Sequence, residues 1–185
     1  PSCRLSLRSG TCRRGQMVTL TDLSSRAKHL NLWEDDSSAD ENKPFGYILS
    51  LEGADSFVDI AYLDKAYNYG LRAIGRSHFG PGRYAPGTKM EGGLTPAGFE
   101  LLKAVEKLGL IVDVTHLTDE GFHQVLENYY GPVWASHCNV RKIVPNQRQL
   151  NDEQIKQLIE RDAIICGMLD CWAMDLRFID SVSDP

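Results

Sequence analysis

Continuous apolar runs alternate with amphipathic stretches through most of this chain, and this alternation limits the fold more than any other feature. Four of the runs are Gly46-Tyr-Ile-Leu-Ser-Leu-Glu52, Leu71-Arg-Ala-Ile-Gly-Arg-Ser-His78, Leu110-Ile-Val-Asp-Val-Thr-His116 and Pro132-Val-Trp-Ala-Ser-His137. Strands buried on both faces look like this, so the pattern specifies an α/β fold with a parallel sheet wrapped by helices. Each run also stops on a side chain that can bind a metal or move a proton: Glu52, His78, His116 and His137. Parallel strands that close a barrel bring their C-terminal ends to one face, where barrel enzymes assemble their chemistry.

The intervening segments carry helix signals. One helix is expected over 56–69, ending at Gly70, and another over 96–108, with Thr95 as N-cap and Pro96 at the first helical position. A third is expected over 119–130 behind Thr118, and a fourth over 152–162 behind Asn151 and Gln154 in capping-box spacing. Upstream, Thr21 to Trp33 reads as a helix with Leu23, Ala27 and Leu30 on one stripe, and Glu34 to Lys43 as an acidic surface loop. Ala163 to Leu169 reads as a last strand. Five strands result, whereas a closed barrel has eight and typically about 250 residues. A chain of 185 residues is therefore either an open doubly wound sheet or a partial (β/α)8 TIM barrel. Residues 1–18 show no periodicity and are expected to be poorly ordered, leaving 19–185 as one domain.

Composition removes several function classes. A net charge of -5 provides no basic patch for nucleic acid. No apolar run approaches the ~20 residues that cross a bilayer, and Pro1 to Arg14 lacks the apolar centre of a secretory signal. Cys3, Cys12, Cys138, Cys166 and Cys171 are odd in number and follow no zinc-ribbon spacing, which fits structural thiols in a reducing cytoplasm. Cys166 and Cys171 in particular are expected to act as small hydrophobes in or beside a strand.

Zinc and similar ions take imidazole nitrogen and carboxylate oxygen, and catalytic sites leave one position open for water. Glu52, His116 and His137 would supply such a set from three strand ends. His78, beside the loop Phe79-Gly-Pro-Gly-Arg-Tyr-Ala-Pro-Gly, is a fourth ligand, an oxyanion donor or a loop anchor. Arg148 lies where a guanidinium could clamp a carboxylate, with Arg141 and Lys142 as rivals for that role. Asp113 is placed to orient a ligand histidine, and His29 and His123 fall on helices as surface residues.

Ser50-Leu-Glu-Gly-Ala-Asp55, Gly70-Leu-Arg-Ala-Ile-Gly, Ser77-His-Phe-Gly-Pro-Gly-Arg-Tyr, Gly93-Leu-Thr-Pro-Ala-Gly, Asp113-Val-Thr-His116, Ala135-Ser-His137 and Arg148-Gln-Leu-Asn-Asp-Glu occur in that order. Together they resemble the renal-type (membrane) dipeptidase family of zinc peptidases over about Thr19 to Leu169. The resemblance implies a (β/α)8 barrel that holds two Zn2+ ions and hydrolyses dipeptides with a metal-bound hydroxide. It implies that Glu52 bridges both metals, that His116 and His137 bind the second, that His78 contacts substrate, and that Arg148 takes the substrate carboxylate. A homodimer is compatible with the family. The family's first strand carries a His-x-Asp pair, and none of the five histidines here has Asp two positions later. The family's late catalytic Asp is also without a match, Asp170 and Asp175 lying too early. The expected protein is thus a dipeptidase fragment with one metal's ligand set. The alternative is a non-catalytic remnant that binds one metal or acts as an interaction partner.

Overall fold

The structure, a computed structural model, describes residues 17–34, 43–170 and 174. Of the expected N-terminal segment, residues 1–16 lie outside the described residues, as do Cys3, Cys12, Cys171 and Asp175. The chain divides into two compact units between Leu49 and Ser50.

In the first unit, β1 (Met17–Thr19) pairs in parallel with β2 (Phe45–Tyr47), and α1 (Leu23–Glu34) connects them. Two members of the expected apolar stripe on α1 lie at the surface: Ala27 is exposed and Leu30 is 55% exposed. Instead His29, expected at the surface, is half-buried, and its Nε2 accepts the Gly46 N–H at 2.9 Å. Trp33 Nε1 donates to the Pro44 carbonyl at 3.2 Å, and the Lys43 ammonium lies over the same ring. Ring contacts of His29 and Trp33 tie this helix to the segment 43–46.

The second unit holds a five-stranded sheet, entered from Leu49, in the order β3 (Leu49–Leu51), β4 (Leu71–Gly75), β5 (Ile111–Asp113), β6 (Val133–Ala135), β7 (Ile164–Ile165). The pairs β4–β5, β5–β6 and β6–β7 are parallel. Strand order follows chain order without reversal. A doubly wound sheet reverses at a switch point, so the winding is that of a barrel. Five strands make it a partial one.

Helices α2 (Tyr62–Asn68), α3 (Pro96–Lys107), α4 (Asp119–Asn128) and α5 (Asp152–Glu160) follow successive strands. Thr95 and Thr118 accept the Gly98 and Gly121 N–H groups, and the Asn151–Gln154 box is formed in both directions. Leu101, Leu102 and Val105 of α3 and Phe122 and Val125 of α4 are buried with Ala73, Ile74 and Val112 of the sheet. Each such side chain contributes roughly 1.5–3 kcal/mol by leaving water.

Three expected elements differ. The run 46–52 breaks at Ile48, its first half joining β1 and its second half opening the larger sheet. The helix expected over 56–69 starts only at Tyr62, because Phe57 is extended and the Asp59 carboxylate takes the Ala61 N–H at 3.1 Å. The last strand shrinks to Ile164–Ile165, and Cys166 is exposed rather than a core hydrophobe. Of the two described cysteines, Cys138 is the buried one.

Candidate metal centre

Glu52, His78, His116 and His137 all leave the C-terminal ends of neighbouring strands. Glu52 directly follows β3, His78 and His116 lie three residues beyond β4 and β5, and His137 lies two beyond β6. The strands stop short of these residues because side chains take over the backbone donors. Asp113 Oδ1 accepts the N–H of Thr115 at 3.0 Å and of Ser136 at 3.2 Å, which ends β5 and ties it to the end of β6. Asp113 therefore shapes the two strand ends; it does not reach an imidazole as its place before His116 suggested. His116 itself has φ of 67°, a left-handed conformation that costs a non-glycine residue about 1–3 kcal/mol. The Ser77 hydroxyl holds that turn by donating to the His116 carbonyl at 3.1 Å.

Three donor atoms converge. Glu52 Oε1 lies 2.9 Å from His116 Nε2 and 3.1 Å from His137 Nε2, and the two nitrogens are 3.2 Å apart. Among the described residues this is the group whose ligand atoms could share one ion. A tetrahedral ion with bonds of about 2.0–2.1 Å separates its ligand atoms by about 3.3 Å, so the observed triangle fits one. His116 is 3% exposed, His137 31% and Glu52 49%, so the triangle is closed on one side and open on the other. Burial, with Arg148, His78 and His137 adding to it, pushes the His116 imidazole down to about 2, despite the nearby Glu52 carboxylate. The ring is neutral at physiological pH and keeps a nitrogen lone pair to offer. Its Nδ1 is buried without a hydrogen-bond partner.

His78 stands beside the triangle but outside it. Its Nε2 is 3.7 Å from Glu52 Oε1, beyond hydrogen-bond reach, and its side chain is 58% exposed. Its ring packs on those of His116 and Phe79, with centroids 4.4 and 4.5 Å away. The following loop folds back on it: the His78 carbonyl accepts from Thr88 N at 3.3 Å, and the Phe79 carbonyl from Lys89 N at 3.1 Å. Gly87 is required there, because a Cβ would come within 2.0 Å of the His78 carbonyl oxygen.

Arg148 and Arg141 have different surroundings. Arg141 forms a bidentate pair with Asp119 at 2.7 and 2.6 Å and also donates to the Gln149 carbonyl at 2.9 Å. Arg148 is 3% exposed; it donates to the His137 carbonyl at 2.8 Å and to Cys138 Sγ at 3.4 Å, and its buried Nε has no partner. Arg141 is thus neutralised by a carboxylate. Among the described residues Arg148 meets no carboxylate, and it braces the strand end that carries His137. Lys142 is part of the same loop and has no assigned role at the triangle. His123 is half-buried on α4, away from the strand ends.

Sequence reasoning missed Ser136 and Thr115. Ser136 Oγ lies 2.7 Å from His137 Nδ1 and 3.3 Å from Thr115 Oγ1. The signal was present: a hydroxyl residue precedes each of the three histidines, as Ser77-His78, Thr115-His116 and Ser136-His137.

Comparison with known proteins gives this geometry a context. The family model described as membrane dipeptidase (peptidase family M19) matches residues 18–169. An uncharacterized protein encoded in the pqqA 5' region of Klebsiella pneumoniae is 30% identical, over 68% of this chain and 49% of its own length. The dipeptidase aclJ of Aspergillus oryzae is 27% identical, over 74% of this chain and 35% of its own. A metallo peptidase from Rhodobacter sphaeroides, solved with a phosphinate mimic of the dipeptide L-Ala-D-Ala, superposes with a TM-score of 0.68 at 24% identity. That superposition covers 83% of this chain and 44% of the other. The chain thus spans half or less of the length of these relatives.

Proposed function

The chain belongs to the membrane dipeptidase family, peptidase family M19, and on that premise we propose that it supplies one zinc site and the substrate contacts of a dipeptidase. The observation that carries the reading is the convergence of Glu52 Oε1, His116 Nε2 and His137 Nε2 from three strand ends, mutually 2.9 to 3.2 Å apart. A carboxylate and two imidazoles match the donor preference of zinc, and the open side leaves room for water and substrate. When bound, such an ion brings the pKa of its water toward ~7 and polarises the substrate carbonyl.

The side chains divide the remaining work. The buried, neutral His116 offers its nitrogen without having to shed a proton first. Glu52 is shared between both imidazoles, and its half-exposed carboxylate is the group able to take the proton of an attacking water. His78, exposed beside the triangle, provides an N–H for the oxygen that gains charge when the peptide carbonyl becomes tetrahedral. Arg148, a buried cation with one free donor, suits the C-terminal carboxylate of a dipeptide. The dipeptide mimic bound by the Rhodobacter sphaeroides neighbour supports a substrate of this size.

Calorimetric titration of the chelator-treated chain with zinc tests the reading. The wild type should bind, and His116→Ala and His137→Ala should each weaken binding by at least tenfold. Zinc binding unaffected by either substitution would refute the assignment. Release of amino acids from L-Ala-D-Ala, lost in Arg148→Ala mainly through KM, would place the activity in this chain.

A further inference from the structure

The two histidines of the triangle are held differently. His116 has its ring fixed by packing and by a left-handed backbone, and its Nδ1 touches no polar partner. His137 has Ser136 Oγ at 2.7 Å from its Nδ1. Ser136 is in turn anchored at both ends: its N–H donates to Asp113 Oδ1 at 3.2 Å, and its hydroxyl meets that of Thr115 at 3.3 Å. Thr115 is buried, and its oxygen also receives the His137 N–H at 3.4 Å and the Cys138 thiol at 3.6 Å.

We infer that Ser136, backed by Thr115 and Asp113, is a positioning residue that orients the His137 imidazole by holding its Nδ1. The inference rests on the reading of His137 as a zinc ligand. Counting donors supports it. Thr115 Oγ1 has two lone pairs, and the His137 N–H and Cys138 S–H fill them. Its own proton then goes to Ser136 Oγ, and the Ser136 proton goes to His137 Nδ1. Without metal the ring proton therefore sits on Nε2, which lies 3.1 Å from Glu52 Oε1 and 3.2 Å from His116 Nε2.

For Nε2 to offer a lone pair, the ring must carry its proton on Nδ1 instead, the proton exchanging through solvent. Ser136 Oγ then accepts from Nδ1 and turns its own proton to Thr115 Oγ1, and the Thr115 proton turns to Cys138 Sγ in place of the long thiol donation. Both arrangements are reached by rotating hydroxyl bonds, with no heavy atom moved. A serine hydroxyl can serve either tautomer, which a carboxylate or a backbone carbonyl cannot, since those only accept.

Ser136→Ala and Ser136→Thr test this with two readouts. In the metal-free protein, ring nitrogen shifts of His137 by NMR should report one dominant tautomer, protonated on Nε2, in wild type and Ser136→Thr. They should move toward an averaged ring in Ser136→Ala. Zinc affinity of Ser136→Ala should fall about 10–100-fold, the usual loss when the partner of a ligating histidine is removed, and Ser136→Thr should restore it to within a few-fold. Wild-type ring shifts and wild-type affinity in Ser136→Ala would overturn the positioning role while leaving the zinc site standing. Ring shifts that respond as expected in a chain that binds no zinc would sustain Ser136's hold on the ring and sink the zinc reading.

Discussion

Replacing Arg76 with Met should make this protein more stable, although it removes a charged residue two positions before the candidate site. Arg76 directly follows β4 and is 0% exposed, the largest fully buried side chain among the described residues. None of its three guanidinium nitrogens has a hydrogen-bond partner. Burial pushes its pKa from 12.5 down to about 10, with the Tyr129 hydroxyl pulling weakly the other way. At about 1.4 kcal/mol per unit, that drop corresponds to roughly 3 kcal/mol of cost for keeping the charge inside. Met fills the space of the aliphatic stem and removes the donors, so a gain of about 2–3 kcal/mol is expected. With a urea m-value of about 2 kcal/mol/M, the midpoint should rise by about 1 M.

A pH series adds a second check with a defined sign. Above pH 10 the folded wild type sheds the Arg76 proton before the unfolded chain does, so this group adds stability as pH rises from about 10 toward 12.5. Tyr129 works oppositely. Burial pushes its hydroxyl up to about 12, so the unfolded chain ionises first and stability falls as pH passes 10. In the wild type the two offset, whereas Arg76→Met should show the Tyr129 loss alone, as a steeper alkaline decline. A variant no more stable than wild type at pH 7 would mean that the guanidinium is neutralised in solution, and the reasoning would fail.

Three other perturbations probe the site. Gly87→Ala should cost about 1–3 kcal/mol by overpacking, since its Cβ meets the His78 carbonyl at 2.0 Å; a thermal melt with an unchanged midpoint would contradict this. His116→Asn, which tolerates the left-handed backbone, should flatten the acid limb of the metal-free protein. The folded wild type refuses the proton that the unfolded chain accepts below pH 6.5, a loss of up to about 3 kcal/mol by pH 4.5 that urea midpoints at pH 7 and pH 4.5 would expose. Arg141→Ala should weaken the acid dependence contributed by Asp119. Hydrogen bonds from Arg141 hold that carboxyl below its usual value, so its stabilisation is present above about pH 4 and lost as pH falls. The pair is partly exposed, so the change should stay within about 1 kcal/mol, read from denaturation at pH 7 and pH 3.

Much of the site was legible in the chain because barrel topology makes position along a strand equivalent to position in space. A Glu or His at the end of an apolar run is delivered to the same face as its neighbours, so Glu52, His116 and His137 could be grouped before any distance was known. Helix starts were equally local: Thr95, Thr118 and Asn151 cap through bonds spanning three residues. What local pattern could not decide was every interaction between side chains distant in sequence. The run 46–52 reads as one strand, yet its halves enter different sheets, because hydrogen-bond partners are chosen in three dimensions. Asp113 looked like a partner for an imidazole and instead caps two strand ends, since its carboxylate finds backbone N–H groups closer at hand. Arg148 and Arg141 are indistinguishable as loop arginines; only packing shows that Asp119, on α4, occupies Arg141 and leaves Arg148 with a free donor. Ser136 belongs to the same class, a residue whose role depends on the 2.7 Å that folding sets between its hydroxyl and the His137 ring. Periodicity and strand ends thus determined which chemistry the chain could gather, because they follow from backbone geometry repeated residue by residue. Which partner each polar group takes was decided by the tertiary structure alone, because hydrogen bonds depend on distances that sequence separation does not encode.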